Sequence, residues 1–502
     1  MANEKPNVQA QGIDALTQNV SSVAGISYIL GKTLGPQGID VMVVNQVGES
    51  ITSNDGATIL SNLAIANPVA DSLMESANVL AQRVGDGTTT MTVMAGELCN
   101  WGLFLNKNEG LDTVTTAKGY GMALDEINKL LDKHSLEVDI KNKTMLKKFV
   151  NTTLTGKNTE GLDNIYDICI EAVTLTNGEL DLIKKHKLRG TLGQTRLVNG
   201  IVLDLDILHE DMAKDVKNPK ILLLDDTLEL VNPALDMKID ISDQNQYLGL
   251  INMEKSTVID RAKKIKELGV DVVICQRNIN DFAIDYFVRH GILAVRNVNK
   301  SDLDLLAKLT NGSIIKNLDT AKVEDLGVSE SVTIEKLADE RYVIVNNHNK
   351  ITTILIAGAN RLAKDEYERG IDDALGVIRT ILKYKKYVYG AGNIEVRLAE
   401  GLREYAKTIE NGKLQAAIEK YSEALLHIPK LLADSSGQNR LIALGKLRAD
   451  DTFGIDVENA AVRSMPEVLE PTEVKRQAYT IATEFACNIL RIGFILHGRS
   501  DK

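Results

Sequence analysis

The segment GDGTTT at residues 85–90 has the residue types of a phosphate-binding loop. Its two glycines allow the backbone to turn tightly and to approach a ligand closely. The threonine hydroxyls and N–H groups that follow would stand at the start of a helix, where unpaired donors and the helix dipole favour phosphate. Asp86 adds a hard oxygen ligand that suits Mg²⁺ bridging phosphates. On residue types alone, an ordinary turn with a threonine cap explains the segment equally well.

Four other segments carry weaker signals when each is taken alone. SNDG at 53–56 and LGPQG at 34–38 are compatible with ordinary turns or helix ends. TLTGK at 153–157 places a lysine where it could meet a phosphate, but a solvated loop explains it as well. Asp373 lies in the helical segment ERGIDDAL (368–375), whose acidic face would normally meet solvent. None of these segments identifies a function by itself.

Two familiar nucleotide motifs are incomplete. Residues 25–33 (GISYILGKT) are similar to a Walker A loop, but five residues separate the glycines and the segment lies in a helical pattern. GAGNIE at 390–395 begins like a dinucleotide fingerprint and lacks the third glycine. A dinucleotide-dependent α/β enzyme therefore remains only as a third alternative. The four separated cysteines and seven histidines show no metal-ligand spacing, and no GxSxG motif occurs.

The elements that would position these segments differ along the chain. Apolar periodicity predicts a mainly helical first quarter with one strand at 39–45. The middle has short apolar runs separated by helical patterns, which indicates an α/β domain. Helices are predicted at 8–33, 57–65, 68–84, 88–105, 111–134, 254–268, 281–290, 301–311, 361–385, 394–409, 412–427 and 473–491. Strands of the middle region are predicted at 201–208, 221–224, 270–275 and 292–298.

Composition excludes several classes of protein. The 502 residues are 44% hydrophobic and 25% charged, which is typical of a globular protein of about three domains. A formal net charge of −11 argues against a dedicated nucleic-acid binder. No apolar run approaches the roughly 18 residues of a membrane span, and the first residues show no secretory signal pattern. We therefore expect a reduced, cytoplasmic protein that binds neither nucleic acid nor membrane.

Taken together, the segments at 34–40 (LGPQGID), 53–60 (SNDGATIL) and 84–90 (VGDGTTT) closely resemble the chaperonin family in order and spacing. The resemblance covers essentially the whole chain. It continues through LTGKN (154–158), ERGIDDAL (368–375), GAGNIE (390–395), FGIDV (453–457), LEPTEVKRQA (469–478) and NILRI (488–492). In detail the chain is more similar to the group II type, the thermosome and its relatives, than to the bacterial group I type. It is a divergent member, since GAG stands where the family has three glycines.

The resemblance implies a multidomain chaperonin fold of α and α/β type. A helical equatorial ATP-binding domain would comprise residues 1–127 and 383–502. A small intermediate hinge domain would comprise 128–196 and 350–382, and an α/β apical domain 197–349. Residues 238–260 correspond in position to the helical protrusion that gives group II rings a built-in lid.

The resemblance also implies a catalytic centre for ATP hydrolysis with Mg²⁺. Asp86 would ligate Mg²⁺, and Asp55 and Asp373 would position and activate the attacking water. Lys157 matches a loop that senses the γ-phosphate. Leu34, Gly35 and Pro36 would line the phosphate pocket, and Gly87, Thr88, Thr89 and Thr90 would hold phosphate oxygens. Gly392 and Glu470 match positions near the ribose and the base.

The function implied is that of an ATP-dependent chaperonin subunit. Such a subunit binds unfolded or partly folded client proteins and encloses them in a homo-oligomeric double ring, with eight subunits expected in each ring. A separate lid protein would not be required if the protrusion is present. The alternative from another class is a chaperonin-like assembly scaffold without productive ATP turnover. The three acidic residues of the implied centre are all present, which favours an active ATPase.

Overall fold

The structure, a computed structural model, describes residues 7–44, 48, 50–63, 67–157, 163–204, 212, 215–229, 244–337, 340–347 and 350–497. The chain divides into two compact units. The first combines Met1–Ile170 with Asp365–Lys502, and the second consists of Glu171–Lys364. Along the chain, the second unit is therefore an insertion into the first.

The helices account for most of the first unit and cover the main sheet of the second. In chain order they are α1 (Ile13–Gly31), α2 (Gly56–Asn62), α3 (Pro68–Val84), α4 (Thr88–Glu109), α5 (Thr113–His134), α6 (Lys143–Leu154), α7 (Asp163–Leu175), α8 (Gln244–Glu267), α9 (Asp281–Arg289), α10 (Lys300–Thr310), α11 (Arg361–Tyr384), α12 (Asn393–Lys407), α13 (Gly412–Leu425), α14 (His427–Ser435), α15 (Arg440–Leu447) and α16 (Thr472–Leu490).

The strands are short and belong to several separate sheets. They are β1 (Asn7–Gln11), β2 (Val41–Val44), β3 (Ser50–Ser53), β4 (Leu136–Glu137), β5 (Ile183–Arg189), β6 (Arg196–Asn199), β7 (Ile201–Asp204), β8 (Asp215–Lys217), β9 (Lys220–Leu224), β10 (Val272–Cys275), β11 (Leu293–Val295), β12 (Ile314–Ile315), β13 (Gly327–Val328), β14 (Ser331–Leu337), β15 (Glu340–Asn346), β16 (Thr352–Gly358), β17 (Lys386–Tyr389), β18 (Phe453–Asp456), β19 (Ala461–Ser464), β20 (Leu469–Pro471) and β21 (Phe494–His497).

The first unit is built around α4, which is buried on nearly all sides. Met91, Met94, Leu98 and Leu105 of this helix are completely buried. The helix packs against α1, α5 and α16. A helix that is apolar all round belongs in the centre of a core. The core therefore fixes the first turn of α4, which begins at Thr88.

Small antiparallel sheets complete the first unit. β1 pairs with β21, so the N-terminal and C-terminal ends of the described chain are hydrogen-bonded to each other. β2 pairs with β3 and β18 with β19, while β17 lies between β20 and β4. In the β17–β20 register, Val388 lies opposite Glu470. This pairing brings the start of α16 next to the loop at 390–392.

The second unit contains a parallel sheet with the strand order β11-β10-β9-β12, to which β13 adds an antiparallel strand at β9. Residues 221–224 and 272–275 are completely buried. Such uninterrupted apolar runs are typical of parallel strands that are covered on both faces. An antiparallel sheet, β7-β15-β14-β8, and a mixed sheet, β5-β16-β6, complete this unit.

The predicted order of a helical region, an α/β region and a second helical region is confirmed. The four strands predicted for the middle region are present, although β7 ends at Asp204 and residues 205–208 lie outside the described part of the chain. The long helices predicted beyond residue 361 are observed within one or two residues of their bounds.

Two predicted helix starts are wrong. Residues 7–11 form β1 instead of the first turns of a helix, because they pair with β21, and α1 begins at Ile13. The helix predicted from Glu254 begins ten residues earlier, at Gln244. Of the proposed lid segment, 238–243 lies outside the described residues, and the remainder is the helical backbone of α8.

Candidate active site

The loop between α3 and α4 requires glycine on both sides of Asp86. Gly85 and Gly87 have φ of +81° and +90°, in the left-handed region. A Cβ atom on Gly87 would lie 3.0 Å from Val474 Cγ1. The backbone N–H of Gly87 donates to Asp86 Oδ1 over 2.6 Å, which orients the carboxylate. The sequence GDG thus produces a tight turn that presents a fixed carboxylate directly before the N-terminus of α4.

Asp55 is held at the start of α2, beside the same turn. Its Oδ2 accepts hydrogen bonds from the backbone N–H of Thr58 (2.8 Å) and from the Thr58 hydroxyl (2.7 Å), so Asp55 is the N-cap of α2. A Cβ on Gly56 would lie 2.9 Å from Thr89 Oγ1. The start of α2 therefore packs closely on the start of α4, and glycine is the residue that allows it.

The loops around Gly35 and Gly156 are packed against each other. Gly35 has a φ of +86°, and a Cβ there would lie 2.7 Å from Leu432 Cδ2. A Cβ on Gly156 would lie 2.9 Å from the carbonyl oxygen of Gly35. Asn54 Nδ2 donates to the carbonyl oxygen of Gly156 over 2.6 Å. These contacts bring Lys157 next to the segment that carries Asp55.

Lys157 and Asp373 form a partly buried ion pair. Lys157 Nζ donates a hydrogen bond to Asp373 Oδ2, and the two side chains are 15% and 19% exposed. Burial raises the pKa of Asp373 to about 8. The positive charge of Lys157 opposes this shift, but the negative charges of Asp55 and Asp86 offset part of its effect. Burial also disfavours the charged form of Lys157, but the carboxylates of Asp373, Asp86 and Asp55 outweigh burial and raise the pKa of this lysine. A carboxyl with a pKa near neutrality has the property required of a general base.

A second buried charge cluster surrounds Lys475. Its Nζ lies 2.8 Å from Glu395 Oε1 and 2.7 Å from Glu470 Oε2. The Tyr479 hydroxyl donates to the same Glu395 oxygen over 2.8 Å. Burial raises the pKa of Glu470, although the charge of Lys475 favours its ionised form. Since a Cβ on Gly390 would lie 2.5 Å from Glu470 Oε1, Gly390 leaves the room that this carboxylate occupies.

A cavity of about 450 Å³ lies within the first unit, in the size range of small-molecule sites. Its lining includes twelve of the thirteen residues predicted for the site: Leu34, Gly35, Pro36, Asp55, Asp86, Gly87, Thr88, Thr89, Thr90, Lys157, Gly392 and Glu470. The thirteenth, Asp373, lines an adjoining recess of about 90 Å³ together with Asp55, Asp86 and Thr88. Residues from distant parts of the chain are thus brought to one place.

The side chains that line the cavity are suited to binding a nucleotide and a hard cation. Hydroxyls, N–H groups at a helix N-terminus and a lysine provide donors for phosphate, and Ile428, Leu432, Ile455 and Val457 provide an apolar wall. Among the residues that the structure describes, no three His, Cys, Asp or Glu side chains are grouped as a complete metal site. Mg²⁺ commonly takes one or two carboxylates and completes its shell with water and substrate phosphates, so Asp86 fits it.

Sequence reasoning missed several lining residues. Asn54, Lys475, Asp456 and Arg463 all line the cavity. Asp456 is 3% exposed and accepts a hydrogen bond from Arg463 Nε over 2.6 Å. Hydrogen bonding to Asn459 and Arg463 lowers the pKa of Asp456 to about 2, against the opposing effect of burial. The signal that could have found Lys475 is a lysine on the otherwise apolar face of α16.

A chaperonin subunit has this architecture: a helical unit that contains a cavity suited to phosphate, and an α/β unit inserted into it. The profile of the TCP-1/cpn60 chaperonin family matches residues 26–499. The chain belongs to this family.

Its relatives include proteins named as thermosome subunits. It is 36% identical to thermosome subunit alpha of Archaeoglobus fulgidus, over 97% of this chain and 92% of that protein. It is 38% identical to a thermosome subunit of Methanopyrus kandleri, over 97% of this chain and 93% of that protein. Thermosome subunit alpha of Sulfolobus acidocaldarius is 35% identical, over 96% of this chain and 92% of that protein.

These matches confirm the predicted family and the resemblance to the group II type. As a chaperonin, the chain is an ATPase subunit that functions in protein folding and uses a nucleotide. In the described part of the chain, no helix is long and apolar enough to cross a membrane.

Proposed function

We propose that this chain binds ATP with Mg²⁺ in the cavity of the first unit and hydrolyses it there. The observation that carries the proposal is the convergence of Asp55, Asp86, Asp373 and Lys157 at one end of the cavity. Phosphoryl transfer needs mainly positioning of the reactants and neutralisation of charge. Lys157 and a Mg²⁺ ion held by Asp86 would neutralise charge, and Asp55, Asp373 and the helix start framed by glycines would position the reactants.

Each predicted residue has a role in this proposal. Leu34, Gly35 and Pro36 line the phosphate pocket, Gly87 lets the backbone approach the phosphate closely, and Thr88, Thr89 and Thr90 hold the phosphate oxygens. Gly392 and Glu470 contact the ribose and the base. When bound at Asp86, Mg²⁺ neutralises charge on the phosphate oxygens.

Lys157 and the two remaining carboxylates act on the water and the terminal phosphate. Asp55 and Asp373 orient the attacking water, and Asp373 accepts its proton at Oδ2. Lys157 donates to this oxygen in the structure. Lys157 therefore has to leave Asp373 and turn to the γ-phosphate before Asp373 can accept a proton. The arrival of the phosphate thus frees the base from its ion pair.

At the level of the assembly, we propose a cytoplasmic homo-oligomeric double ring of eight subunits per ring that encloses non-native client proteins. The equatorial domain comprises 1–127 and 383–502, the hinge domain 128–196 and 350–382, and the apical domain 197–349. Residues 238–260 form the built-in lid, so that no separate lid protein is needed. The relatives named "thermosome subunit" over nearly the full length of the chain support this proposal.

ATP hydrolysis by the purified full chain tests the proposal directly. Asp373→Ala should lower kcat by about 10²–10⁴-fold, the usual contribution of a general base. Asp86→Ala should abolish the dependence of nucleotide affinity on Mg²⁺. Glu404→Gln, an exposed carboxylate paired with Lys407 on α12, is the control and should leave kcat unchanged. Wild-type protein that binds ATP without turnover would favour the alternative function, an assembly scaffold.

Native mass tests the assembly independently of the chemistry. Two rings of eight 55.0-kDa chains would weigh roughly 0.9 MDa. Single-particle imaging with and without Mg-ATP should show stacked rings. A stable monomer or dimer under both conditions would contradict the ring.

A further inference from the structure

Helix α11 crosses the α3–α4 loop at a contact between two glycine backbones. A Cβ built on Gly376 would lie 2.5 Å from the Cα of Gly85, and a Cβ built on Gly85 would lie 2.5 Å from the Cα of Gly376. Real Cβ atoms do not approach other heavy atoms so closely. At this point, no side chain separates the helix from the loop.

The next residues of α11 bind the exposed carbonyls at the end of α3. The Arg379 guanidinium donates through Nη2 to the carbonyl oxygens of Gln82 (2.9 Å) and Arg83 (2.8 Å). The Thr380 hydroxyl donates to the carbonyl oxygen of Val84 over 3.3 Å. The last carbonyls of a helix have no partner within the helix and carry its negative dipole end, so a guanidinium binds favourably there.

Both sides of this contact are adjacent to proposed active-site carboxylates. Asp373 precedes Gly376 by three residues on the same helix, which is about one turn. On the other side, Asp86 directly follows Gly85. Two short, rigid connections therefore lead from the contact to the two carboxylates, and a shift of α11 along or away from the loop changes the distance between them.

We infer that Gly376, Arg379 and Thr380 are positioning residues that hold Asp373 in its place for ATP hydrolysis. This inference rests on the proposed function. The three residues do not touch the nucleotide; they act through Asp373. The contact includes two glycine backbones and three hydrogen bonds to carbonyls.

The variants Gly376→Ala, Arg379→Gln and Thr380→Val test the inference. Gly376→Ala inserts a methyl group between the two backbones, and the other two remove the donors. Each should lower kcat by about 10- to 100-fold, because misplacement of a reacting group by roughly 1 Å has such an effect. KM for ATP should change by a smaller factor than kcat, since the phosphate-binding side chains are unaltered and only their loop is loosened. Arg379→Lys, which keeps the charge, should restore part of kcat.

The matched controls are Gly121→Ala and Lys383→Ala. A Cβ on Gly121, inside α5, meets nothing within 4 Å, and Lys383 is an exposed residue in the last turn of α11. Neither should alter kcat. If Gly376→Ala fails to fold, Arg379→Gln and Thr380→Val decide the question. A kcat within twofold of wild type in both would overturn the inference.

Repeating these substitutions in protein that lacks the Asp373 carboxylate distinguishes a positioning role from a general loss of structure. In Asp373→Asn protein, the residue to be positioned is already inactive, so Gly376→Ala or Arg379→Gln should cause no further loss of kcat. A further loss of the same factor as in the wild-type background would show that the contact acts elsewhere and would overturn the inference.

Hydrogen exchange gives a readout that does not depend on turnover. In nucleotide-free protein, the amides of residues 85–88 should exchange faster in Gly376→Ala and Arg379→Gln than in wild type, while those in the centre of α4 stay protected. Unchanged exchange at 85–88 would count against the contact. If wild-type protein shows no ATP hydrolysis, the proposed function fails, and the exchange result still decides whether the contact holds the loop.

Discussion

Lys157 and Asp373 are 216 positions apart in the sequence, and the lysine donates a hydrogen bond to the carboxylate that we propose as the base. The pair joins the loop after α6 to the middle of α11. Because Asp55 and Asp86 lie close enough to influence both groups, one lysine is surrounded by three carboxylates. An incoming phosphate would compete for this lysine directly.

The first prediction concerns Lys157→Gln. Without the positive charge, the remaining carboxylates make the ionised form of Asp373 less favourable, so the pKa of Asp373 should rise above that of the wild-type protein. We expect a lower kcat at pH 7 and an alkaline shift of the pH dependence. KM for ATP should also rise, because a phosphate partner is lost. A profile identical to that of the wild-type protein would contradict the role of the pair.

A second prediction is the pH dependence of wild-type turnover. The pKa of Asp373 is raised to about 8 in the nucleotide-free protein, and the base must be deprotonated to accept a proton. Thus kcat/KM, which reports the pKa of the free enzyme, should increase with pH up to this value. Asp373→Asn should abolish this limb, whereas Glu404→Gln should retain it.

The third prediction concerns the stability of the first unit. Lys475→Met leaves the completely buried Glu395 without a cation, which should lower the free energy of unfolding by about 3–5 kcal/mol. Adding Glu395→Gln should restore a part of this loss. Denaturant unfolding followed by the fluorescence of Trp101, the only tryptophan, measures both effects.

The control for that experiment is an exposed ion pair. Lys407→Met removes a pair with Glu404 in which both side chains are more than 60% exposed. It should change the free energy of unfolding by no more than about 1 kcal/mol. Equal losses in the free energy of unfolding of Lys475→Met and Lys407→Met would show that the buried cluster stabilises the protein no more than an exposed ion pair does.

The fourth prediction compares two neighbouring residues of the GAG loop. Ala391 has a φ of +53°, a conformation that costs an alanine roughly 1–2 kcal/mol. Ala391→Gly relieves this strain in the folded protein. The glycine also stabilises the unfolded chain by about 0.4–1 kcal/mol, because it increases the conformational entropy of that chain. The free energy of unfolding should therefore change little. Gly392→Ala combines a φ of +80° with a Cβ placed 2.8 Å from Pro429 Cβ. It should destabilise the protein and weaken nucleotide binding, as calorimetry can measure.

Residue types alone indicated the glycine loop around Asp86, and the resemblance to the chaperonin family supplied the other predicted site residues. The glycines around Asp86 are needed for left-handed φ values, and a favoured cap residue, Asp55, starts α2. Such backbone requirements restrict the residue type at neighbouring positions, so they produce short motifs that are recognisable in the sequence alone. The parallel strands of the second unit were equally visible, because burial on both faces produces continuous apolar runs.

What could not be predicted depends on contacts between distant segments. The strand at residues 7–11 has helical periodicity and pairs only because β21 lies beside it. The Gly85–Gly376 contact joins residues almost 300 positions apart, and no pattern in the sequence pairs the two glycines. The ion pairs of Lys475 also depend on distant segments, since its two carboxylate partners come from α12 and β20.

The insertion of the second unit into the first has a consequence for the order in which the protein folds during translation. All residues of the second unit have been synthesised at Lys364, whereas the first unit needs α11 to α16 and β21. At 5–20 residues per second, the first half of that unit waits for tens of seconds, roughly, until its partner segments are synthesised. During this time α4, the apolar centre of its core, has no α16 to cover it. We therefore expect the nascent chain to need protection from aggregation most at this stage, before the protein can itself act as a chaperone.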